Sequence, residues 1–298
     1  MGDVIENNNN CMIKNVKSSK ITLKSSMKIY YDYLNMLNKG MVHSVLCHSK
    51  AGYGKTHTTI NVLKELKSKY TYNCGVTTAV ALYILLYENR DKILILDDIE
   101  TIFKDEKIIN LLKSALWEVD DIRVVKYKTT SKVLDNYPDS FEYTGKIIIL
   151  ANEIKGRGDE SYKALMSRCL KHELIYSFND LIILSQEIIN DDDTLNEIQK
   201  NKINKIILNR IKPEHNFNFR ILNRLKQFVK YDYYKAEHLF INSLDIDKDV
   251  QILIKIIKQS KNVKQQIIQY HELTGNSRMT YYRHKKQLKI NGYLTNII

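Results

Sequence analysis

Apolar and polar positions follow two regimes along the chain. From Ser25 the stretch "SSMKIYYDYLNMLNKG" spaces its apolar residues as a helix does, opens on serine and stops at Gly40, which predicts an entering helix. "VHSVLC" then reads as a short buried strand, and "KTHTTINVLKELKSKY" as the helix after a glycine-containing loop. A strand near Tyr72 to Val76 and a helix through "AVALYILLYENR" follow. "KILILDD" has four apolar residues ending in two acids, the pattern of a parallel strand buried on both faces. A helix through "KIINLLKSALWEV", a strand "RVVKYK", a loop around Pro138, a buried strand "GKIIILANE" and a last strand "HELIYSF" complete this half. Alternating strands and helices predict an α/β fold: a three-layer α/β/α core around a parallel sheet.

After about Asn179 the strand patterns stop. "DDDTLNEIQKNKINKIILNRI" and "FNFRILNRLKQFVKY" predict a small helical domain, and a boundary falls near "SLDIDKD". The expected organisation is a polar, Asn-rich leader over 1–24, an α/β core over 25–178, a helical domain over 179–247 and a C-terminal helical module over 248–298. No apolar run approaches the roughly 18 residues of a membrane span, and the N-terminus lacks the features of a secretory signal. A position 6 glutamate, Glu6, argues against N-myristoylation at Gly2. The expected location is the cytoplasm or nucleoid, without membrane attachment.

Composition sharpens the second half. The 298 residues are 44% hydrophobic and 27% charged, with a net charge of +12, which fits a folded soluble protein. Between Lys255 and Ile290 there are nine Lys or Arg and one acid, Glu272. A polyanion-binding module on a nearly balanced body would leave this footprint. The four cysteines, Cys11, Cys47, Cys74 and Cys169, lack zinc-site spacing and are expected to be free thiols.

The chemistry concentrates in "CHSKAGYGKTHTT", Cys47 to Thr59. Backbone N–H groups can wrap a phosphate where glycine permits tight turns, and Gly52 and Gly54 supply such turns. Lys55 would reach the β- and γ-phosphates, Thr56 would bind Mg²⁺, and the following helix adds its positive end. Ser49 stands where G-x-x-x-x-G-K-[ST] has its first glycine, so the strict pattern is not met. The candidate nucleotide-binding positions are Ser49, Gly52, Tyr53, Gly54, Lys55, Thr56 and His57, with the Tyr53 side chain turned toward a partner or the base. The side chains of His48, His57 and His172 are read as structural. Asp97, at the end of "ILIL", could hold a Mg²⁺-bound water, with Asp98 as base or polariser of the attacking water.

"SKAGYGKT", "ILILDD", "IIILAN" and "ALMSRC" together resemble the P-loop ATPases of the AAA+ class, and more narrowly the single-module AAA+ ATPases of bacteriophages and other mobile elements. The likeness spans about Ser26 to Lys230. It implies a P-loop NTPase core with ATP and Mg²⁺ as cofactors and a homo-oligomer, ring or filament. It also implies that Asn152 is the sensor residue orienting the lytic water, that Arg168 is an arginine finger acting on a neighbour's ATP, and that Arg220 is a second sensor on the lid; Arg224, one turn on, competes for that last role. The family has Asp then Glu where this chain has Asp97 then Asp98. Aspartate is one methylene shorter, so slow turnover or an ATP-binding switch is expected, and Glu100 and Glu153 are alternative contributors.

The tail "NVKQQIIQYHELTGNSRMTYYRHKKQLKINGYL" reads as helix, turn, helix. Val263, Ile267, Ile268 and Leu273 form the first apolar face, Thr274 to Asn276 the turn, and Ser277 the N-cap. Met279, Tyr282 and Leu288 are the expected inward positions of the second helix. Arg278, Thr280, Tyr281, Arg283, Lys285 and Lys286 are the candidate DNA-binding residues. A helical hairpin that only joins copies of the chain is the competing reading. The function expected is a Mg²⁺-dependent ATPase that binds DNA, in replication, transposition or genome handling. An ATP-gated transcriptional regulator and an ATPase remodelling a partner protein are the alternatives.

Overall fold

The computed structural model describes residues 26–75, 78–98, 105–129, 132–152, 160–244 and 247–290. The chain divides into two compact units, with the division between Ile175 and Tyr176. In chain order the strands are β1 (Ser44–His48), β2 (Tyr70–Cys74), β3 (Ile93–Asp97), β4 (Val124–Lys126), β5 (Ser140–Glu142), β6 (Lys146–Ala151) and β7 (Leu170–Glu173).

Five of them form a parallel sheet in the order β2-β3-β6-β1-β7. The helices of this unit are α1 (26–38), α2 (Lys55–Glu65), α3 (Ala79–Glu88), α4 (Glu106–Leu116) and α5 (Glu160–Met166). Successive strand residues point to opposite faces. Leu46, Leu94, Leu96, Ile147 and Ile149 therefore pack with apolar residues of α3, α4 and α5. Tyr30 of α1 meets Thr59 of α2 on the other face, beside Cys47. The central strands carry apolar runs because both their faces are covered by helices, which makes this the expected α/β core around a parallel sheet.

Two strands differ from the pattern reading. The final strand occupies Leu170–Glu173, and "IYSF" instead leads into the next helix, whose cap Ser177 both accepts from the Asp180 N–H and has its own N–H accepted by the Asp180 carboxylate. The "RVVKYK" strand leaves the main sheet: its three-residue β4 pairs antiparallel with β5 as a separate ribbon, burying Val125 against Phe141. Val76, at the end of the expected second strand, lies outside the described residues, as do Cys11, Glu100, Glu153 and the leader.

The second unit is helical: α6 (Phe178–Asn190), α7 (Glu197–Arg210), α8 (Phe219–Tyr231), α9 (Ala236–Asn242), α10 (Lys248–Gln259), α11 (Val263–Thr274) and α12 (Arg278–Ile290). Asn196 with Gln199, Asn218, Asp247 and Asn262 cap the starts of α7, α8, α10 and α11, satisfying N–H groups that have no intrahelical partner. The last three helices enclose a small core of Val250, Leu253, Ile254, Ile256, Tyr270, Tyr281 and Leu288. Among the described residues, no helix is long and apolar enough to cross a membrane.

Candidate functional site

The loop after β1 turns on two glycines. Gly52 and Gly54 both have φ of 80°, a conformation that costs other residues free energy, and Gly54 is the N-cap of α2. Lys55 is only 6% exposed. Its Nζ donates to the Ser49 carbonyl at 3.2 Å, Ser49 Oγ at 3.3 Å and Asn152 Oδ1 at 2.9 Å. Ser49 thus does something glycine could not, since its buried hydroxyl helps seat the lysine and itself donates to the Lys50 carbonyl.

Asp97, buried at the end of β3, accepts from Thr56 Oγ1 at 2.6 Å and from the Tyr72 hydroxyl at 3.0 Å. Asp98 follows in the left-handed region, φ 52°; its N–H donates to Asp97 Oδ1, and its exposed carboxylate accepts from Asn152 Nδ2 at 2.9 Å. Sheet order explains the convergence. The strand ending in Ala151 lies between β1 and β3, with His48 opposite Ala151 and Asp97 opposite Leu150. Asn152 therefore bridges lysine and aspartate from the strand between them, at the carboxyl rim where ligands of such sheets bind.

A hydroxyl and a carboxylate meeting at 2.6 Å are hard oxygen donors, the kind Mg²⁺ takes from a protein while keeping waters and phosphate oxygens as its other ligands. No cluster of three or more His, Cys, Asp or Glu that could hold a metal occurs among the described residues. The donor set fits Mg²⁺ shared with a nucleotide and does not fit a closed protein cage. Tyr72, expected only as part of a strand and not among the candidate site residues, borders this site. Burial, and then the charge of Asp97, push its hydroxyl above the usual tyrosine range, so it stays a donor.

The remaining loop positions differ. The Tyr53 side chain is buried, and burial also raises its hydroxyl pKa. His57 is exposed on the first turn of α2, with its ring beside Asn61 Nδ2 at 3.3 Å. Beneath the loop, Tyr30 is fully buried and its hydroxyl lies 2.6 Å from Thr59 Oγ1, which donates to the Lys55 carbonyl at 2.8 Å. The Tyr30 ring stacks on His172 at 5.2 Å. Burial pushes the Cys47 thiol up to about 12, keeping it an inert thiol.

Burial lowers the pKa of His48 and of His172, the latter with a further contribution from His48, and lowers that of His43, which also faces Arg123. The unfolded chain then binds protons more readily than the folded one as pH falls below the unperturbed value of about 6.5. The stabilisation from keeping these rings neutral is complete above that pH and is lost below it. Thermal unfolding should move to lower temperature between neutral and mildly acidic pH, with a shallower dependence in His172→Gln; a Tm independent of pH there would contradict this.

Arg168 follows α5 and precedes β7. Its guanidinium lies 4.6 Å from the Trp117 ring centroid and donates to the Ala164 carbonyl, while its buried Nε has no hydrogen-bond partner among the described residues. Because β7 runs parallel to β1 and Leu170 pairs with Val45, Arg168 stands at the amino end of its strand, the rim opposite the glycine loop. Arg220 is exposed on the first turn of α8, whereas Arg224 donates to the Ser243 carbonyl at 3.0 Å.

The tail requires a correction of phase. Tyr281, expected to face DNA, is 0% exposed, and its hydroxyl donates to Gln266 Oε1 at 2.5 Å. Lys285 is half-buried, and its Nζ donates to Gln266 Oε1 at 3.0 Å and to the Tyr281 hydroxyl at 2.9 Å, so it belongs to the interior network. His284 is buried with Nδ1 at 2.9 Å from the Tyr270 hydroxyl. Conversely, the expected inward residues Met279 and Tyr282 are exposed, as are Val263, Ile268 and Leu273 of α11; Leu288 is buried as expected. Thr280 sits in the cap turn, its N–H donating to Ser277 Oγ at 3.3 Å. Arg278, Arg283 and Lys286 are exposed.

Removing a buried ring typically costs about 3–5 kcal/mol, and α10–α12 have a small core. Tyr281→Ala should abolish hydrogen-exchange protection across Val263–Ile290, whereas Tyr282→Ala should leave it intact. Equal protection in both variants would refute this placement.

No family model and no curated protein matches the chain. Among solved structures, a point mutant of RuvB from Thermotoga maritima is similar at 16% identity, with 79% of this chain and 76% of that chain covered and a TM-score of 0.48. The same organism's RuvB Holliday junction branch migration motor gives 14% identity, 80% and 75% coverage and 0.45. A DNA replication initiation factor gives 14%, 87% and 83%, and 0.43.

Proposed function

We propose that this chain is a Mg²⁺-dependent ATPase of the AAA+ class that assembles into a ring or filament and acts on DNA. The observation that carries the reading is the meeting of Lys55, Thr56, Asp97, Asp98 and Asn152 at one rim of the sheet. Lys55 and the Gly52–Thr56 N–H groups would hold the β- and γ-phosphates. Thr56 and Asp97 would hold Mg²⁺, which supplies charge neutralisation on the phosphate oxygens. Asp98 would accept the proton of the attacking water, and Asn152 would fix that water through the amide it already directs at Asp98. The short side chain of Asp98 argues for slow turnover.

Arg168, at the opposite rim, cannot serve its own chain's site; it supports the reading as a finger offered to a neighbouring copy, which implies a head-to-tail assembly. The second unit supplies a helical lid with Arg220 as its sensor and, in α10–α12, a helix-turn-helix that binds DNA. On its last helix the outward cations are Arg278, Arg283, Lys286 and Lys289, while Tyr281 and Lys285 belong to the interior network. The phage or mobile-element setting is part of the proposal only.

The test is steady-state ATP hydrolysis with no DNA, duplex DNA and single-stranded DNA. Stimulation by DNA is expected, lost in Arg283→Ala/Lys286→Ala. Hydrolysis indifferent to DNA would favour a nucleotide-gated regulator or a protein-remodelling ATPase, and no hydrolysis would leave an ATP-binding switch.

A further inference from the structure

We infer that the outward face of α12 reads thymine C5-methyl groups in the major groove of duplex DNA, through Met279 and Tyr282. The inference rests on the proposed DNA-binding role of the tail and assigns which residues distinguish sequences there.

Burial of Tyr281, His284 and Leu288 fixes the rotation of the helix. The opposite face then consists of Arg278, Met279, Tyr282, Arg283, Lys286 and Lys289, all exposed. From Arg278 to Ile290 there is no acidic residue. Within this cationic face Met279 is 81% exposed and Tyr282 44% exposed. Cations alone suffice for a phosphate backbone. A methionine held in water among them does not help bind phosphate. The major groove offers both chemistries side by side, since phosphates line it and the thymine methyl is its apolar group.

Position along the helix agrees. Met279 and Tyr282 lie in the first two turns after the Gly275–Ser277 turn, the part of a second helix that meets base edges; Arg283, Lys286 and Lys289 continue toward the end, where they would hold phosphates. The Arg278 guanidinium lies 5.6 Å from the Tyr282 ring centroid. A ring face covered in this way is a poor platform for stacking an unpaired base, which favours duplex over single-stranded DNA. The Tyr282 ring also meets the Tyr281 ring edge-on at 5.2 Å, and the apolar surface offered to a methyl group is the exposed part of that ring together with the methionine thioether.

The test is fluorescence anisotropy of the full chain on a short A·T-rich duplex and on the same duplex with every thymine replaced by deoxyuridine, which removes only the methyl groups. Each contacted methyl is worth roughly a fourfold change in affinity, so two contacts should weaken binding to the uracil duplex by on the order of tenfold. Met279→Ala/Tyr282→Ala should bind both duplexes equally, at about the affinity of the unaltered chain for the uracil one. Arg283→Ala/Lys286→Ala should weaken both duplexes alike, lower the salt slope by about 1 per residue, and keep the thymine preference. Cytosine methylation of a G·C-rich duplex, which restores a methyl at the same edge, should raise affinity. Salt-dependent binding with equal affinity for thymine and uracil duplexes would overturn this inference and leave the DNA-binding role standing. Failure to bind either duplex would overturn both.

Discussion

Lys55→Ala should lose ATP binding by at least about 100-fold while the chain stays folded. The side chain is buried in the glycine loop, and its ammonium reaches oxygens of Ser49 and Asn152 at 2.9–3.3 Å. On nucleotide binding the same ammonium would exchange these neutral oxygens for phosphate oxygens. Hydrogen bonds to charged groups contribute roughly 1.5–3 kcal/mol each, and two of them convert to at least about 100-fold. Folding should survive because the wall around the loop does not depend on the lysine: Tyr30 still bonds Thr59, and Thr59 still bonds the first turn of α2. Calorimetric titration with ATP, beside a thermal melt of the same sample, checks both halves. Unchanged affinity in a folded variant would remove the loop from nucleotide binding.

Arg168→Ala should keep ATP affinity and lose hydrolysis by on the order of 10³-fold, the lower end of what an arginine finger supplies. The arginine sits at the amino end of β7, so its target would be another copy's phosphates. Trp117 and the Ala164 carbonyl now hold it, and engagement would require it to leave the indole. A mixing experiment separates this from local damage. Lys55→Ala subunits carry an intact Arg168 and a disabled loop; Arg168→Ala subunits carry the reverse. Mixed together, two inactive preparations should regain part of the activity, because some interfaces pair an intact loop with an intact arginine. No recovery on mixing, or full activity of Arg168→Ala alone, would end the trans-acting assignment.

The glycine loop and the carboxylate pair were legible because each sits on an unambiguous element: an apolar run that can only be a buried strand, followed at once by its polar tip. Asn152 joined them only through the family resemblance, since nothing in its spacing from Lys55 says that the two strands are neighbours. Tyr72 was invisible: β2 is an edge strand of mixed polarity, and the hydroxyl reaches Asp97 only because of strand order. The tail failed in a more instructive way. Where α11 and α12 face inward they bury Tyr270 and Tyr281, with Gln266, His284 and Lys285 satisfying the hydroxyls, so hydrophobicity alone does not mark the inward side of these two helices. Tyr281 and Tyr282 are adjacent and chemically identical, yet one is buried and the other exposed; only packing against α11 distinguishes them. Ser49 is the converse case, a departure from pattern whose hydroxyl turns out to seat the lysine.

The most direct test of the shared magnesium-nucleotide site is the affinity of a fluorescent ATP analogue, with and without Mg²⁺, for the unaltered chain and for Asp97→Asn. This substitution preserves the size of the side chain and an oxygen for Thr56 while removing the charge. The unaltered chain should bind more tightly with Mg²⁺ present, and the variant should lose that increment, roughly tenfold or more, while binding equally well in chelator. An identical Mg²⁺ dependence in both proteins would contradict the account, because Asp97 would then play no part in holding the ion beside the loop.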